Sequence, residues 1–215
     1  MKKIRWLIIA AYCTVIAVVL VLCCMNGKIT RTVQSVSGVA YEQKVDSVAF
    51  GYRLEQMFKP QHEKLDTIKI YVDTSACSSE AGVLQISVTE ESDAVFYSQI
   101  PVSELPQYGW VDIPVHLQLS CDQTYCLVLE SVDCIDFGPK ISFYDAMLAA
   151  TKEQQGYNLV YAGMEVTNSA LRISFVYAVP IEVYEYFVFY IFGLAVAALI
   201  FGDSRLKNPD QSVSI

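Results

Sequence analysis

Gly109-Trp110-Val111-Asp112-Ile113-Pro114-Val115-His116-Leu117-Gln118 is the stretch that decides the fold. Val111, Ile113, Val115 and Leu117 alternate with Asp112, Pro114, His116 and Gln118, the period of a half-buried strand. The same period returns on both sides. Ile68, Ile70 and Val72 alternate with Lys69, Tyr71 and Asp73, and Leu84, Ile86 and Val88 with Gln85, Ser87 and Thr89. Further on come Tyr125, Leu127 and Leu129, then Ile141 and Phe143, then Leu171, Ile173 and Phe175 against Arg172 and Ser174. Weaker candidates lie at 47–58, 94–100 and 157–163. The total of about nine strands predicts an antiparallel all-β sandwich over residues 45–178 rather than a parallel α/β sheet. Helical signal inside this region is poor, one or two turns within Asp145–Gln155 at most.

Outside the strands the pattern becomes continuous. Residues 6–25, Trp6 to Met25, form an apolar run long enough to cross the roughly 30 Å hydrocarbon core as a helix. It follows a basic leader, residues 1–5, containing Lys2, Lys3 and Arg5. An uncleaved anchor is expected, because the run exceeds a signal h-region and no small-x-small site precedes Asn26; a cleaved signal is the alternative. Residues 181–201 form a second apolar run, with Glu182 and Glu185 in its first turn, where a helix dipole favours negative charge. Tyr184, Tyr186 and Tyr190 gather at the same end, as an interfacial belt does. Lys2, Lys3 and Arg5 at one end, and Arg205 and Lys207 at the other, place both termini, with the 202–215 tail, in the cytoplasm and the middle outside. Residues 26–44 read as a stalk or an edge strand.

Charge and composition exclude several functions. The chain of 215 residues carries 15 basic and 23 acidic side chains, a net of −8. Residues 26–180 hold ten basic against nineteen acidic, a net of −9. With no basic run beyond Lys2-Lys3, nucleic acid is excluded as a partner. Two histidines, no C-x-x-C, no Gly-rich phosphate loop and no G-x-S-x-G elbow point away from an enzyme. His62-Glu63-Lys64-Leu65-Asp66 begins like a zinc-protease helix but has aspartate where the second histidine must stand. No cofactor is expected. Loop aspartates Asp133, Asp136 and Asp145 are the material for a structural calcium site, without an ordered calcium loop.

Three groups of residues carry the remaining expectations. If Val111, Ile113, Val115 and Leu117 face the core, then Trp110, Asp112 and His116 share the outer face, where an aromatic ring beside a carboxylate can grip a sugar. The competing reading has Trp110 capping the core under the Gln107-Tyr108-Gly109 turn. Cys77, Cys121, Cys126 and Cys134 lie in the external part and allow two disulfides or four free thiols. Cys13, Cys23 and Cys24 fall in the first apolar run as small hydrophobes. Ala10, Thr14 and Ala17 make a small-residue stripe on the first helix, and Gly193 and Ala197 a small-xxx-small pair on the second. Such stripes let membrane helices pack closely, although small residues are also common there for no such reason.

Phe50-Gly51-Tyr52-Arg53-Leu54-Glu55-Gln56-Met57-Phe58 followed by Leu65-Asp66-Thr67-Ile68-Lys69-Ile70 resembles the opening of jelly-roll modules of the galactose-binding or carbohydrate-binding-module type. The likeness continues through Gly82–Val88, Gly109–Val115 and Thr124–Leu129 and closes with Leu171–Tyr177. It covers about residues 45–178. The resemblance implies a jelly-roll-like sandwich of a kind found in bacterial membrane-anchored envelope proteins, and no binding motif of the family is complete here. The expectation is therefore a two-pass membrane protein with an external sandwich. Its role is a non-catalytic accessory that binds or positions envelope glycan or assists a polysaccharide-handling membrane enzyme. The alternative is a structural subunit that meets a membrane protein partner and binds no sugar.

Overall fold

A computed structural model describes residues 2–25, 30–35, 42–44, 53–77, 81–91, 93–134, 138–144, 150–182, 184–185, 187–188 and 191–195. The chain divides into two compact units. One takes in Met1–Arg31 with Pro180–Ile215, and the other is Thr32–Val179.

The first unit contains helix α1, Lys2–Met25. Its 24 residues make a rod about 36 Å long at the α-helical rise. Residues 184–185, 187–188 and 191–195 are also helical. Side chains in α1 are described only in fragments, the longest being 13–18. Among the described residues, accordingly, no helix is long and apolar enough to cross a membrane.

The second unit is built from strands: β1 (Thr30–Gln34), β2 (Glu42–Lys44), β3 (Arg53–Phe58), β4 (Lys64–Asp73), β5 (Val83–Glu90), β6 (Asp93–Pro101), β7 (Tyr108–Gln118), β8 (Tyr125–Val132), β9 (Lys140–Tyr144), β10 (Leu159–Tyr161), β11 (Met164–Val166), β12 (Ala170–Leu171) and β13 (Ile173–Pro180). They form two sheets. One runs β1-β13-β4-β9-β12, with β2 added to β9 and β7 to β4; the other runs β11-β10-β3-β8-β5-β6. The ladders whose registers are resolved are all antiparallel. The molecule is thus an all-β, sandwich-like fold. From β3 to β9 the chain passes from one sheet to the other at every connection except the β5–β6 hairpin.

The core lies between the sheets. Leu54, Phe58, Ile68, Ile70, Leu84, Ile86, Leu127, Leu129, Ile113 and Phe175 are almost wholly buried. Phe58 stacks on Phe175 with ring centroids 4.6 Å apart, one ring from each sheet. One buried polar side chain bonds from sheet to sheet here. Gln56 on β3 is fully buried, accepts from Leu171 N–H at 3.0 Å and donates to Tyr157 O at 2.9 Å. It thereby joins β3 to the opposite sheet at β12.

The structure departs from simple alternation in three places. β8 is buried on both faces around Leu127–Leu129, where simple alternation would leave Val128 exposed. The strand expected through Arg172 is split into β12 and β13, since the Arg172 amide turns to Ser142 O on β9 while its carbonyl accepts from Tyr71 N–H on β4. β7 carries a bulge: Leu65 pairs with Leu117 and Thr67 with Pro114, so Asp66 faces two residues, Val115 and His116. His116 takes a left-handed backbone there, φ 48°.

Candidate functional site

β7 places the proposed face. Ile113 and Val115 are buried, and Val111 and Leu117 pack partly against the core. Trp110, Asp112 and His116 point the other way and are exposed. Trp110 is 42% exposed, so it lies on the outer face and does not cap the core.

Each of the three meets its neighbour on β4. Trp110 is in register with Tyr71, and the two rings meet edge to face at 5.6 Å. The Arg172 guanidinium lies over both, 4.0 Å from the Tyr71 centroid and 5.1 Å from that of Trp110. Asp112 is in register with Lys69 and accepts from its Nζ at 3.0 Å. His116 Nδ1 lies 2.7 Å from Asp66 Oδ1 across the bulge. The face is therefore a row of cross-strand pairs, and the aromatic–guanidinium cluster and Asp112–Lys69 are consecutive in it. His116 belongs to a separate cavity of 270 Å³ at the bulge, lined by Lys64, Leu65, Asp66, Leu117, Gln118 and Ala178. Tyr71, Lys69 and Arg172 are missing from the sequence-derived candidate set. Their signal was available, since they are the polar phase of the alternations 68–73 and 171–175, but only the sheet order shows that β4 and β13 flank one another beside β7.

Chemically, a half-exposed indole beside a guanidinium, an ammonium and a carboxylate offers an apolar platform with donors and an acceptor at its edge. That suits a hydroxylated ring lying on the sheet.

The cysteines are placed as follows. Cys77, Cys121, Cys126 and Cys134 are all free thiols, as is Cys13. Burial pushes the Cys126 thiol up to about 11, with the Glu55 charge adding to the effect. Burial also raises Cys77 and Cys121. Cys134 is buried and accepts from the Ser131 hydroxyl at 2.9 Å. The side chains of Cys23 and Cys24 lie outside the described residues. Among the described residues no three acidic, histidine or cysteine side chains are grouped for a metal. Asp133 is described, with φ 59°, whereas Asp136 and Asp145 are not.

Of the small-residue stripe, Thr14 and Ala17 border an apolar groove of 280 Å³, together with Val18, Leu20, Val21, Leu22 and Phe187. The Thr14 hydroxyl donates to Ala10 O at 2.8 Å, within its own helix. Nothing lies within 4 Å of where a Cβ on Gly193 would stand, and Ala197 is outside the described residues.

A second polar site was not foreseen. Glu153 and Tyr177 line a cavity of 210 Å³ with Val33, Gln34, Ser35, Gln61, His62 and Lys152. Glu153 is 2% exposed and Tyr177 1%. The Glu153 position is fixed by a tight turn: Thr151 N–H and Oγ1 both donate to Gln154 Oε1, Gln154 Nε2 donates to Leu171 O, and Lys59 N–H donates to Glu153 O at 2.8 Å. Burial pushes the Glu153 carboxyl above the usual carboxylate range, with its own amide, Thr151, His62 and Tyr177 pulling back only in part. Burial, and then the Glu153 charge, push the Tyr177 hydroxyl far above the ordinary tyrosine range. Both groups lie close enough to act on each other, as does the Gln61 amide on Tyr177. Even so, among the described residues no hydrogen bond of ordinary geometry closes on Glu153 Oε2 or Tyr177 Oη. The sequence carried no sign of this site, because Glu153 sits in a turn and Tyr177 reads as core.

Set against known protein families and curated proteins, the chain matches none.

Proposed function

We propose that this chain is a membrane-anchored accessory whose β-sandwich lies outside the cell and holds cell-envelope glycan on the β7–β4 face. The observation that carries the reading is the exposed Trp110 with Tyr71, Arg172, Asp112 and Lys69 around it. The sandwich-like fold and the jelly-roll resemblance of residues 45–178 agree with it. The membrane setting rests on the apolar sequence run 6–25 within α1, about 30 Å long at the helical rise, and on the basic residues Lys2, Lys3 and Arg5 at the start of that helix. Arg31, which follows α1, donates to Glu185 at 2.6 Å, supporting a return of the second apolar segment to the same side of the bilayer. The role is binding and positioning, not bond cleavage.

The test uses the full chain in lipid nanodiscs on an array of bacterial envelope glycans. Binding that falls at least tenfold in Trp110→Ala, with the fold intact by circular dichroism, supports the reading. Binding unchanged in Trp110→Ala overturns the assigned face. Absence of any glycan signal, with a membrane protein captured instead, favours the structural-subunit alternative. Topology is tested with Tyr108→Cys, at an exposed position. An impermeant maleimide should label it in intact cells above the wild-type background, and labelling only after lysis refutes the orientation.

A further inference from the structure

The Glu153–Tyr177 cavity contains two features that seldom occur together without a ligand. A wholly buried carboxylate oxygen and a wholly buried phenol oxygen lie close enough to act on each other, yet neither completes a hydrogen bond of ordinary geometry among the described residues. Burying such a group without a partner forfeits its hydration with nothing in return. They stand in the wall of a space of 210 Å³, several times the share of one water molecule. The site is built, not incidental: Glu153 is held by the Thr151–Gln154 turn and by Lys59 N–H. Tyr177 is held by stacking on Phe175, with ring centroids 6.4 Å apart, and by the His62 ring edge-on at 5.4 Å.

We propose that this cavity binds a small neutral polyol, about the size of one sugar ring. The unmatched pair defines the chemistry. Glu153 Oε2 needs a donor, and Tyr177 Oη has a proton to give. A single hydroxyl group supplies both, donating to the first and accepting from the second. The surrounding groups extend the same logic. The Ser35 hydroxyl accepts from Phe175 N–H at 2.7 Å and retains its own proton to donate, and the Gln61 amide offers both a donor and an acceptor. Charge disfavours a simple ion of either sign: the Glu153 carboxylate repels an anion, and Lys152 in the same lining repels a cation. None of the lining residues lies on β7, so the site is separate from the Trp110 face and does not rest on it.

The experiment is saturation-transfer NMR on the full chain in nanodiscs, with D-glucose, D-galactose, N-acetyl-D-glucosamine and glycerol as probes. Methylammonium and sulfate serve as charged controls. Tyr177→Phe removes the phenol hydroxyl and Glu153→Gln replaces the carboxylate by a neutral amide, both with almost no change of shape, and their folding is checked by thermal melting. The proposal expects saturable binding of at least one polyol, weakened at least tenfold in both cavity variants and unchanged in Glu104→Gln, an exposed position outside both sites. It is overturned if no polyol binds, meaning that the cavity holds water alone. It is equally overturned if a charged control binds better, or if Trp110→Ala abolishes binding that the two cavity variants retain. That last result leaves the β7 face standing, so the two readings fail separately.

Discussion

Replacing Gln56 by leucine tests the claim that one polar side chain pins the two sheets together. The substitution keeps most of the volume and removes three hydrogen bonds: from Leu171 N–H at 3.0 Å, to Tyr157 O at 2.9 Å and to Met57 O at 3.0 Å. Leu171 is fully buried, so its amide is left without a partner or water, while Tyr157 is half-buried and its carbonyl recovers part of its hydration. At about 1–3 kcal/mol for each stranded group, the loss is roughly 2–4 kcal/mol, and the extra apolar transfer of leucine offsets about 1 kcal/mol of it. A net loss of about 2–3 kcal/mol leaves the domain folded, given typical stabilities of about 5–15 kcal/mol. For a unit of this size it lowers the melting temperature by about 5–10 °C. Thermal melts followed by circular dichroism, backed by urea titration, measure the change. Gln118→Leu, at an exposed position whose Nε2 donates to Glu63, is the control and should shift the melt by no more than about 2 °C. Equal melting of Gln56→Leu and wild type would refute the argument and mean that the sheets are held by apolar packing alone.

Ile113→Asp should unfold the sandwich, because it buries an unpaired charge at a 1% exposed position, whereas Asp112→Ala on the opposite face loses only a surface pair of at most about 1 kcal/mol; proteolysis of the two variants under native conditions separates them. Gly82→Ala should cost about 2–4 kcal/mol by urea titration, since φ is 110° and the new Cβ would stand 2.5 Å from Cys134 Sγ. Glu153 gives a pH effect of definite sign. Its pKa is raised on folding, so its contribution is full below the unfolded value near 4.5 and is lost as pH rises through the folded value. Glu153→Gln, with His62, Lys152 and Tyr177 still facing the site, should therefore melt higher than wild type at pH 7 and converge with it near pH 4. A gap that widens toward acid would contradict the assignment.

Much of the strand pattern was legible because side-chain period is a local property. Val111, Ile113, Val115 and Leu117 alternate in the chain, and a pleated backbone turns alternation directly into an inner and an outer face. The strand expectations at 68–72, 84–88, 125–129 and 141–143 coincide with β4, β5, β8 and β9 for the same reason. The apolar run 6–25 likewise announces a helix, since its length and continuity are read without knowing any neighbour. What stayed hidden is what depends on pairing. The bulge that turns His116 to φ 48° arises from the register between β4 and β7, which no single strand encodes. Arg172 reads as one more exposed residue of an alternating strand. Only the sheet order sets its guanidinium over Tyr71 and Trp110, from segments about 40–100 residues apart in the chain. Glu153 and Tyr177 are the clearest case. A glutamate in a turn should by composition face water, and a tyrosine in a β-strand should find a partner for its hydroxyl. Closure of β13 against the Thr151–Gln154 turn buries both and completes a hydrogen bond for neither atom named above. Local sequence determines which faces are apolar. Which polar groups end up desolvated together is decided by long-range packing, because desolvation depends on everything that surrounds a group and not on its neighbours in the chain.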